Sequence, residues 1–277
     1  MILAREGGRL RVALHSAHQR QAAIAAQAWG NAEFEAPTPR DPVVAAAGAH
    51  DAGWRAWDAA PALDRRTGQP FQFLDVATEL VRGHAEGVRR ASERDPYVGL
   101  LVSLHTSGVL GDRFGWDRGQ VGAIGLARRV RAARGPAVAL TFLLARQRFL
   151  ARQRLHRRTL RGRVAVEPAA LWRAYDVMQV CDELSLHFAT GATGERTIGP
   201  PPARHGRPAT LPAFTLRSAG PRAVTMSPYP FAADRVELPL TAAYVEDRPY
   251  ASADQFVAAL GAATTETLVF SVGRPGA

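Results

Sequence analysis

Residues 41–54, Asp-Pro-Val-Val-Ala-Ala-Ala-Gly-Ala-His-Asp-Ala-Gly-Trp, contain a helix start, a helix end and two adjacent polar side chains. Asp41-Pro42 is typical of a helix start, because aspartate can cap the first turn and proline is tolerated at the first helical position. We therefore predict a helix over 43–49 that delivers His50 and Asp51 at its end. Consecutive residues at a helix end can both turn toward one ion, which makes this pair a candidate two-ligand unit.

Upstream, two short segments, 2–6 and 9–14, flank Gly7-Gly8, a dipeptide that suits the positive backbone angles of a hairpin turn. Ser16 followed by Gln19 matches a capping box for the next helix. Its apolar face, with Ala22, Ala25 and Trp29 at helical spacing, also contains His18.

Downstream, Asp95-Pro96 predicts the start of an almost wholly apolar helix over 97–105 that ends in His105. Glu167-Pro168 predicts a longer helix over 169–188. Asp182 stands there at a position where the helical stripe would place an apolar residue.

The polar residues on these apolar faces and helix ends are His18, His50, Asp51, His105 and Asp182. Buried imidazole and carboxylate groups cost several kcal/mol unless they are paired, so they must satisfy one another or hold a cation. Nitrogen and oxygen ligands of this mix suit a divalent metal, with Mn, Fe, Mg, Ni and Zn indistinguishable. The alternative is a buried hydrogen-bond network without an ion.

For single members of this set the alternatives are a contact with the hairpin for His18, favourable placement at a helix C-terminus for His105, and a buried arginine partner for Asp182. The other histidines, His84 among them, lack a convergent context and are interpreted as ordinary residues.

All 35 basic residues are arginine, and the formal net charge is +10. The absence of lysine excludes Schiff-base chemistry and the phosphate-binding loop that ends in Gly-Lys-Ser/Thr. The segment 146–163 is rich in arginine and predicts a helix with one docked face. Nucleic-acid binding through that helix is an alternative function, although a solvated face or an oligomer surface is favoured because aromatic residues are sparse there. The oligomeric state is not determined.

One cysteine, Cys181, excludes an intramolecular disulfide, and no signal segment opens the sequence. The longest apolar run, 136–145, is about half the roughly 20 residues that cross a bilayer. These features predict a cytoplasmic protein without a membrane span.

The C-terminal part changes character. We predict strands over 236–245 and 267–272 and a short helix over 252–263 capped by Ser252. The domain organisation predicted is a hairpin plus helical core over 1–198, a Pro/Gly/Arg-rich loop over 199–223 and a β-α-β segment over 224–277. The fold class is α+β, mainly helical, with the N-terminal hairpin and C-terminal strands joined in a small sheet.

The order of His18, His50-Asp51 and Asp182 resembles the HD superfamily of metal-dependent phosphohydrolases. The resemblance implies an HD-like helical core, one or two metals held by these residues, and a metal-activated water that attacks a phosphoester. It implies that His105 completes a second metal site or protonates the leaving group, and that arginines near the mouth hold phosphate. Many two-metal members carry two further histidines between the His-Asp pair and the last aspartate.

A closer resemblance is carried by His50-Asp51-Ala52-Gly53-Trp54, Trp57-Asp58, Pro61, Gly68-Gln69-Pro70, Ser103-Leu104-His105, Trp172, 182–186 and Pro228-Tyr229-Pro230-Phe231. These residues are similar to a bacterial family of unassigned function. Separately, Trp54, Trp57 and Asp58 are candidates to line a substrate pocket, the alternative being core packing for the tryptophans.

The function expected is therefore hydrolysis of a nucleotide or other small phosphoester, with Asp51 and His105 in the catalytic roles. An HD-type iron oxygenase is the alternative enzyme, because one scaffold hosts several reactions. A metal-binding protein without turnover is the non-catalytic alternative.

Overall fold

The computed structural model describes residues 1–76, 78–111, 123–199 and 213–276, and within them strands form one sheet. The strands are β1 (Ile2–Glu6), β2 (Arg9–Ala13), β3 (Arg196–Ile198), β4 (Phe214–Gly220), β5 (Ala223–Ser227), β6 (Arg235–Glu246) and β7 (Thr265–Gly273). Their order across the sheet is β1-β2-β6-β7-β5-β4-β3.

The helices of the described residues make the fold α+β and mainly helical, as predicted. They are α1 (His15–Ala28), α2 (Arg40–Ala47), α3 (Arg55–Ala59), α4 (Thr78–Arg94), α5 (Pro96–Leu110), α6 (Ala123–Arg134), α7 (Pro136–Arg161), α8 (Pro168–Ala189) and α9 (Ala253–Ala262).

The predicted hairpin and its union with the C-terminal strands are confirmed. Gly7 and Gly8 turn between β1 and β2 with φ of 56° and 78°, angles that glycine adopts without steric cost. Strand β2 then pairs antiparallel with β6, with Leu10 opposite Val245. Strand β5 pairs with β7 in parallel, a connection that the sequence does not predict.

Helix starts follow the predicted caps in some places and not in others. The Asp95 side chain caps α5 by accepting hydrogen bonds from the backbone N–H groups of Tyr97 and Val98, and Ser252 caps α9. The capping box at Ser16 is wrong, because α1 begins at His15 and Ser16 lies inside the helix. The Asp58 carboxylate accepts from the His15 N–H instead.

Asp41 is also not a cap. Helix α2 begins at Arg40, which places Asp41 in the first turn. A carboxylate in that turn is still favourable, because it faces the positive end of the helix dipole.

The helical layer rests on the sheet through α1. Helix α1 packs against α2, α8 and β6. The Gln21 side chain fixes the contact with β6 by donating to the backbone oxygen of Leu238 at 2.7 Å. Trp29 and Tyr175 are among the largest side chains that this packing buries completely.

The backbone of α4 is in direct contact with the backbone of the segment that follows His50-Asp51. A 3₁₀ turn at Ala52–Trp54 follows the pair, and a Cβ atom on Gly53 would lie 1.7 Å from the backbone oxygen of Gly83 in α4. Only glycine permits this approach. The contact fixes the position of α4 relative to the His-Asp pair.

The predicted docked face of the arginine-rich segment is confirmed, since Phe142, Phe149 and Leu160 of α7 are buried. The loop predicted over 199–223 is wrong at its C-terminal end, where β4 and the start of β5 lie, because alternating burial along 214–216 ties that segment into the sheet. Residues 200–212 of it lie outside the described residues. No helix of the described residues is long and apolar enough to span a membrane.

Candidate metal centre

Three separate elements bring four of the predicted polar residues together. His18 comes from α1, His50 and Asp51 from the turn after α2, and Asp182 from α8. Each is buried, and His18 is fully inaccessible to solvent. Their convergence follows from the packing of α1 against both α2 and α8.

The three closest ligand atoms form a nearly equilateral triangle. His18 Nε2 lies 2.9 Å from His50 Nε2. Asp182 Oδ1 lies 3.0 Å from the His18 nitrogen and 3.1 Å from the His50 nitrogen.

Hydrogen bonds on the far sides of the rings determine which nitrogens carry protons. His50 Nδ1 is 2.6 Å from the backbone oxygen of Ala47, which can only accept, so this nitrogen is the donor. His18 Nδ1 is 2.7 Å from Ser185 Oγ, and the Ser185 hydroxyl donates to the backbone oxygen of Asp182. In their neutral forms both rings therefore direct an Nε2 lone pair at the triangle.

Two lone pairs and a carboxylate oxygen within about 3 Å of one another repel unless a positive charge lies between them. Asp182 Oδ1 is buried and receives no hydrogen bond within the described part of the chain. Cis ligands of a six-coordinate ion are √2 bond lengths apart, so bonds of about 2.1 Å require ligand atoms about 3.0 Å apart. A tetrahedral ion would need about 3.4 Å. The three atoms are close enough together to bind one divalent ion.

The electrostatics of the cluster favour a cation in the same way. Burial acts to lower the pKa of His50, but the carboxylates of Asp182 and Asp51 outweigh it and raise that pKa to about 9. Burial acts to raise the pKa of both carboxyl groups, but His50 and its neighbours hold each pKa below its usual range. A proton or a metal ion at the triangle is stabilised by these carboxylates.

Asp51 faces two groups at once. Its Oδ2 is 3.7 Å from the Nε2 atoms of His18 and His50. Its Oδ1 is 3.6 Å from Nε2 of His105, which comes from α5. One carboxylate thus connects the triangle with a second group of ligand atoms.

Asp51 and Asp182 of the cluster line a cavity of about 290 Å³. Asp51, His105 and Asp182 contribute to its inner wall, while Trp54 and Phe73 provide aromatic surface. Two arginines, Arg129 from α6 and Arg196 from β3, line the same cavity. The guanidinium group of Arg129 is also paired with Asp75 at 3.0 Å.

The sequence matches, over residues 1–247, the family described as protein of unknown function (DUF3891). The chain belongs to this family. Comparison with curated proteins and with solved structures finds no significant match.

In this DUF3891 protein the cavity also contains His84, a histidine that we interpreted from the sequence as an ordinary residue. His84 of α4 is 2% exposed, and its Nε2 has no hydrogen-bond partner within the described residues. Its ring centre lies 6.4 Å from that of His105 and 6.0 Å from that of Trp54. Burial, only partly opposed by Asp51, lowers its pKa to about 3, so it is neutral and able to offer a lone pair. The available signal was its position on the apolar face of α4, four residues after Leu80 and four before Val88.

Trp57 and Asp58 are placed elsewhere. Asp58 pairs with the Met1 amino group and with His15 Nδ1, the latter at 2.8 Å. It lines another cavity, of about 220 Å³, which shares Asp51 with the first. Trp57 packs against the hydrophobic core. Of the three predicted pocket residues, Trp54 alone is among the described residues that line the main cavity, and it stacks on His15 at 4.6 Å.

His105 hydrogen-bonds to the Gln179 side chain of α8, with 3.1 Å between its Nδ1 and the amide nitrogen. If that nitrogen donates, the neutral ring carries its own proton on Nε2, toward Asp51. If the amide is turned, its oxygen accepts and Nε2 becomes a lone pair. The first arrangement suits a proton donor and the second a metal ligand.

Proposed function

We propose that this protein is a metal-dependent phosphohydrolase that acts on a nucleotide or another small phosphoester. The observation that carries the proposal is the triangle of His18 Nε2, His50 Nε2 and Asp182 Oδ1, with sides of 2.9 to 3.1 Å. These atoms would hold the ion, with Asp51 beside them. A divalent ion held there would lower the pKa of a bound water toward neutrality and polarise a phosphoester oxygen.

Two histidines support a second ion position. The resemblance to two-metal HD proteins implies two further histidines between the His-Asp pair and the last aspartate, and His84 and His105 both line the cavity. Asp51 would bridge the positions, since its two oxygens face different groups. In a protein with a single ion, His105 would instead donate a proton to the leaving oxygen.

The arginines of the cavity give the reason for a phosphate-bearing substrate. Arg129 and Arg196 place two permanent positive charges on the wall of the cavity that the Asp51 and Asp182 carboxylates also line. Guanidinium groups bind phosphate oxygens in a bidentate manner. We expect Arg196 to contribute most to substrate affinity, because Arg129 is already paired with Asp75.

The decisive experiment is elemental analysis of protein purified without chelator or affinity metal. Bound metal is expected in the wild type and a loss of most of it in His50→Ala and Asp182→Ala. His156→Ala and Asp234→Ala are the matched controls, since neither residue lies at the cluster. Equal metal content in all five proteins would refute the metal site and the proposed reaction with it.

Hydrolysis is tested on metal-loaded protein with a panel of mononucleotides and p-nitrophenyl phosphate esters. Arg196→Gln is expected to raise KM with a smaller effect on kcat, whereas Arg217→Gln, on an exposed ion pair with Glu195, should change neither. A cluster that binds metal without turnover of any phosphoester would favour a non-catalytic metal-binding protein.

An iron oxygenase is the second candidate, and one observation favours it. Two histidines and one carboxylate on adjacent positions are the ligand set of non-haem iron(II) oxygenases. Iron as the bound metal, an optical spectrum that changes on reduction, and oxygen consumption would support this reaction over hydrolysis.

A further inference from the structure

The side of α7 that points away from the fold carries an exposed apolar stripe. Leu140, Leu144 and Leu155 are 59%, 50% and 61% exposed. Successive helical residues are about 100° apart, so these leucines and the exposed Ala151 fall within about 60° of one another around the helix. The docked face of α7 lies roughly 160° from the centre of this outer stripe. Helix α7 is therefore apolar on two sides, and the fold buries one of them.

Arginines flank the outer stripe on both sides. Measured around the helix from Leu140, Arg148 and Arg152 lie at about 80° and 120° in one direction. Arg154 and Arg161 lie at about 40° and 60° in the other direction. All four side chains are exposed, and none of their guanidinium groups makes a hydrogen bond or ion pair with a described residue. The stripe thus lies between two rows of positive charge that the fold does not neutralise.

The helix carries no negative charge to balance these arginines. Over its 26 residues α7 contains seven arginines and no aspartate or glutamate. Arg158, which is exposed and in line with Leu140, ends the stripe toward the C-terminus of the helix. A second copy of the chain would therefore bring arginines against arginines across a symmetric interface, and like charges repel. The charge pattern selects an anionic partner instead.

A partner that suits this face must be anionic and apolar at once. The phosphates of a nucleic acid would pair with the arginines, but they would leave the three leucines without an apolar contact. The surface of a bilayer with anionic lipids offers both kinds of contact. A helix that lies in the plane of the interface buries its apolar stripe at the level of the acyl chains, and its flanking arginines extend to the phosphates above.

We propose that the outer face of α7 binds the surface of a membrane that contains anionic lipid, with the outer stripe against the acyl chains and the flanking arginines on lipid phosphates. None of these residues is among the described residues that line the metal cavity. The membrane contact is therefore independent of the proposed hydrolysis.

Co-sedimentation with vesicles tests the charged part of the contact. The protein is expected to bind vesicles of phosphatidylcholine with one third phosphatidylglycerol, to bind phosphatidylcholine alone weakly, and to lose affinity as salt rises. An arginine near an anionic surface contributes about fivefold in affinity, so Arg148→Gln/Arg152→Gln should weaken binding roughly 25-fold. The matched pair Arg217→Gln/Arg248→Gln lowers the net charge equally but lies outside α7, and it should bind within about twofold of wild type.

The same assay on Leu144→Gln/Leu155→Gln tests the apolar part. Each leucine would bury its exposed half in the membrane, so about a fivefold loss per residue is expected, with the salt dependence retained. Glutamine is a good helix former and both positions are exposed, so the fold should persist. Val257→Gln, at a position of α9 that is 38% exposed, is the control and should bind within about twofold of wild type.

A fluorophore on the outer stripe locates the contact. The single cysteine, Cys181, is buried, so the Leu144→Cys variant presents one accessible thiol for an environment-sensitive label. Its emission should shift to the blue when the anionic vesicles are added, whereas a label on Val257→Cys should not respond. His50→Ala should bind vesicles as the wild type does, which separates this face from the metal centre.

Four results would each overturn the inference. The first is the absence of binding to the anionic vesicles, and the second is an equal loss in the two pairs of arginine variants. The third is a loss in Arg148→Gln/Arg152→Gln with full binding by the leucine pair, which would indicate a surface for nucleic acid or another polyanion. The fourth is a dimer that the leucine substitutions dissociate.

Discussion

Replacing Gly53 by alanine tests how the site is positioned. The added Cβ would lie 1.7 Å from the Gly83 oxygen and 2.2 Å from the Gly83 carbonyl carbon, whereas ordinary contacts begin near 3.4 Å. The oxygen would have to retreat by about 1.7 Å, and it belongs to the backbone of α4, so the helix must move as a body. Overpacking a core by one methylene costs about 1–3 kcal/mol. Because both atoms of this contact belong to backbone, we expect Gly53→Ala to lower the free energy of unfolding by about 3 kcal/mol, the upper end of that range.

The expected result is a large loss of thermal stability. For a domain of this size about 1 kcal/mol shifts the midpoint by roughly 2–4 °C, so Gly53→Ala should melt roughly 6–12 °C below wild type. Displacement of α4 also moves His84, the residue after Gly83, and we expect a lower metal content in the folded variant.

Circular dichroism melting with elemental analysis measures both effects. Gly261→Ala is the matched control, since a Cβ atom there meets nothing within 4 Å and helical glycine to alanine is neutral or stabilising by up to about 1 kcal/mol. A Gly53→Ala midpoint within about 2 °C of wild type would refute the reasoning, because it would mean that α4 yields at little cost.

Three further predictions concern single contacts. Ser185→Ala removes the acceptor that orients His18, and metal affinity is expected to fall about 10- to 100-fold with the fold intact; an unchanged affinity would mean that the ring is oriented by packing alone. Asp95→Ala removes the cap of α5 and should cost about 1 kcal/mol in chemical denaturation, whereas a cost near zero would indicate that Pro96 alone starts the helix. Burial lowers the pKa of His187 to about 4, so the unfolded chain binds more protons than the folded chain between pH 6.5 and 4. The free energy of unfolding therefore falls as the pH falls through that window. His187→Gln should make the free energy of unfolding less dependent on pH there, and an unchanged pH dependence would contradict the lowered pKa.

Much of the candidate site could be predicted because burial is visible in the helical periodicity. His18 and Asp182 interrupt apolar stripes, and such residues must find partners inside the protein. The structure brings both to His50, the residue that ends the sequence pattern of α2. Local signals of this kind need no knowledge of the long-range contacts.

The remaining site residues depend on tertiary packing and escaped prediction for that reason. His84 lies four residues from both Leu80 and Val88 on the buried face of α4, but a single histidine on one helix does not show which distant residues it will meet. The arginine-rich sequence of α7 indicated phosphate contacts, in the alternative that this helix binds nucleic acid. The arginines that line the metal cavity, Arg129 and Arg196, come instead from α6 and β3. The acceptor at the start of α1 could not be predicted either, because Asp58, which accepts from the His15 N–H, lies 43 residues away in the sequence.

The order of strands in the sheet has a consequence for synthesis of the protein. Strand β2 is complete at Ala13, but its partner β6 begins only at Arg235, and Asp182 must likewise be made before it can meet His18. At about 5–20 residues per second, the roughly 220 intervening residues take roughly 10–45 s to translate. During that time the hairpin has an open edge, and two-stranded hairpins are at best marginally stable alone. The N-terminal strands are therefore the part of the nascent chain that depends longest on protection from aggregation.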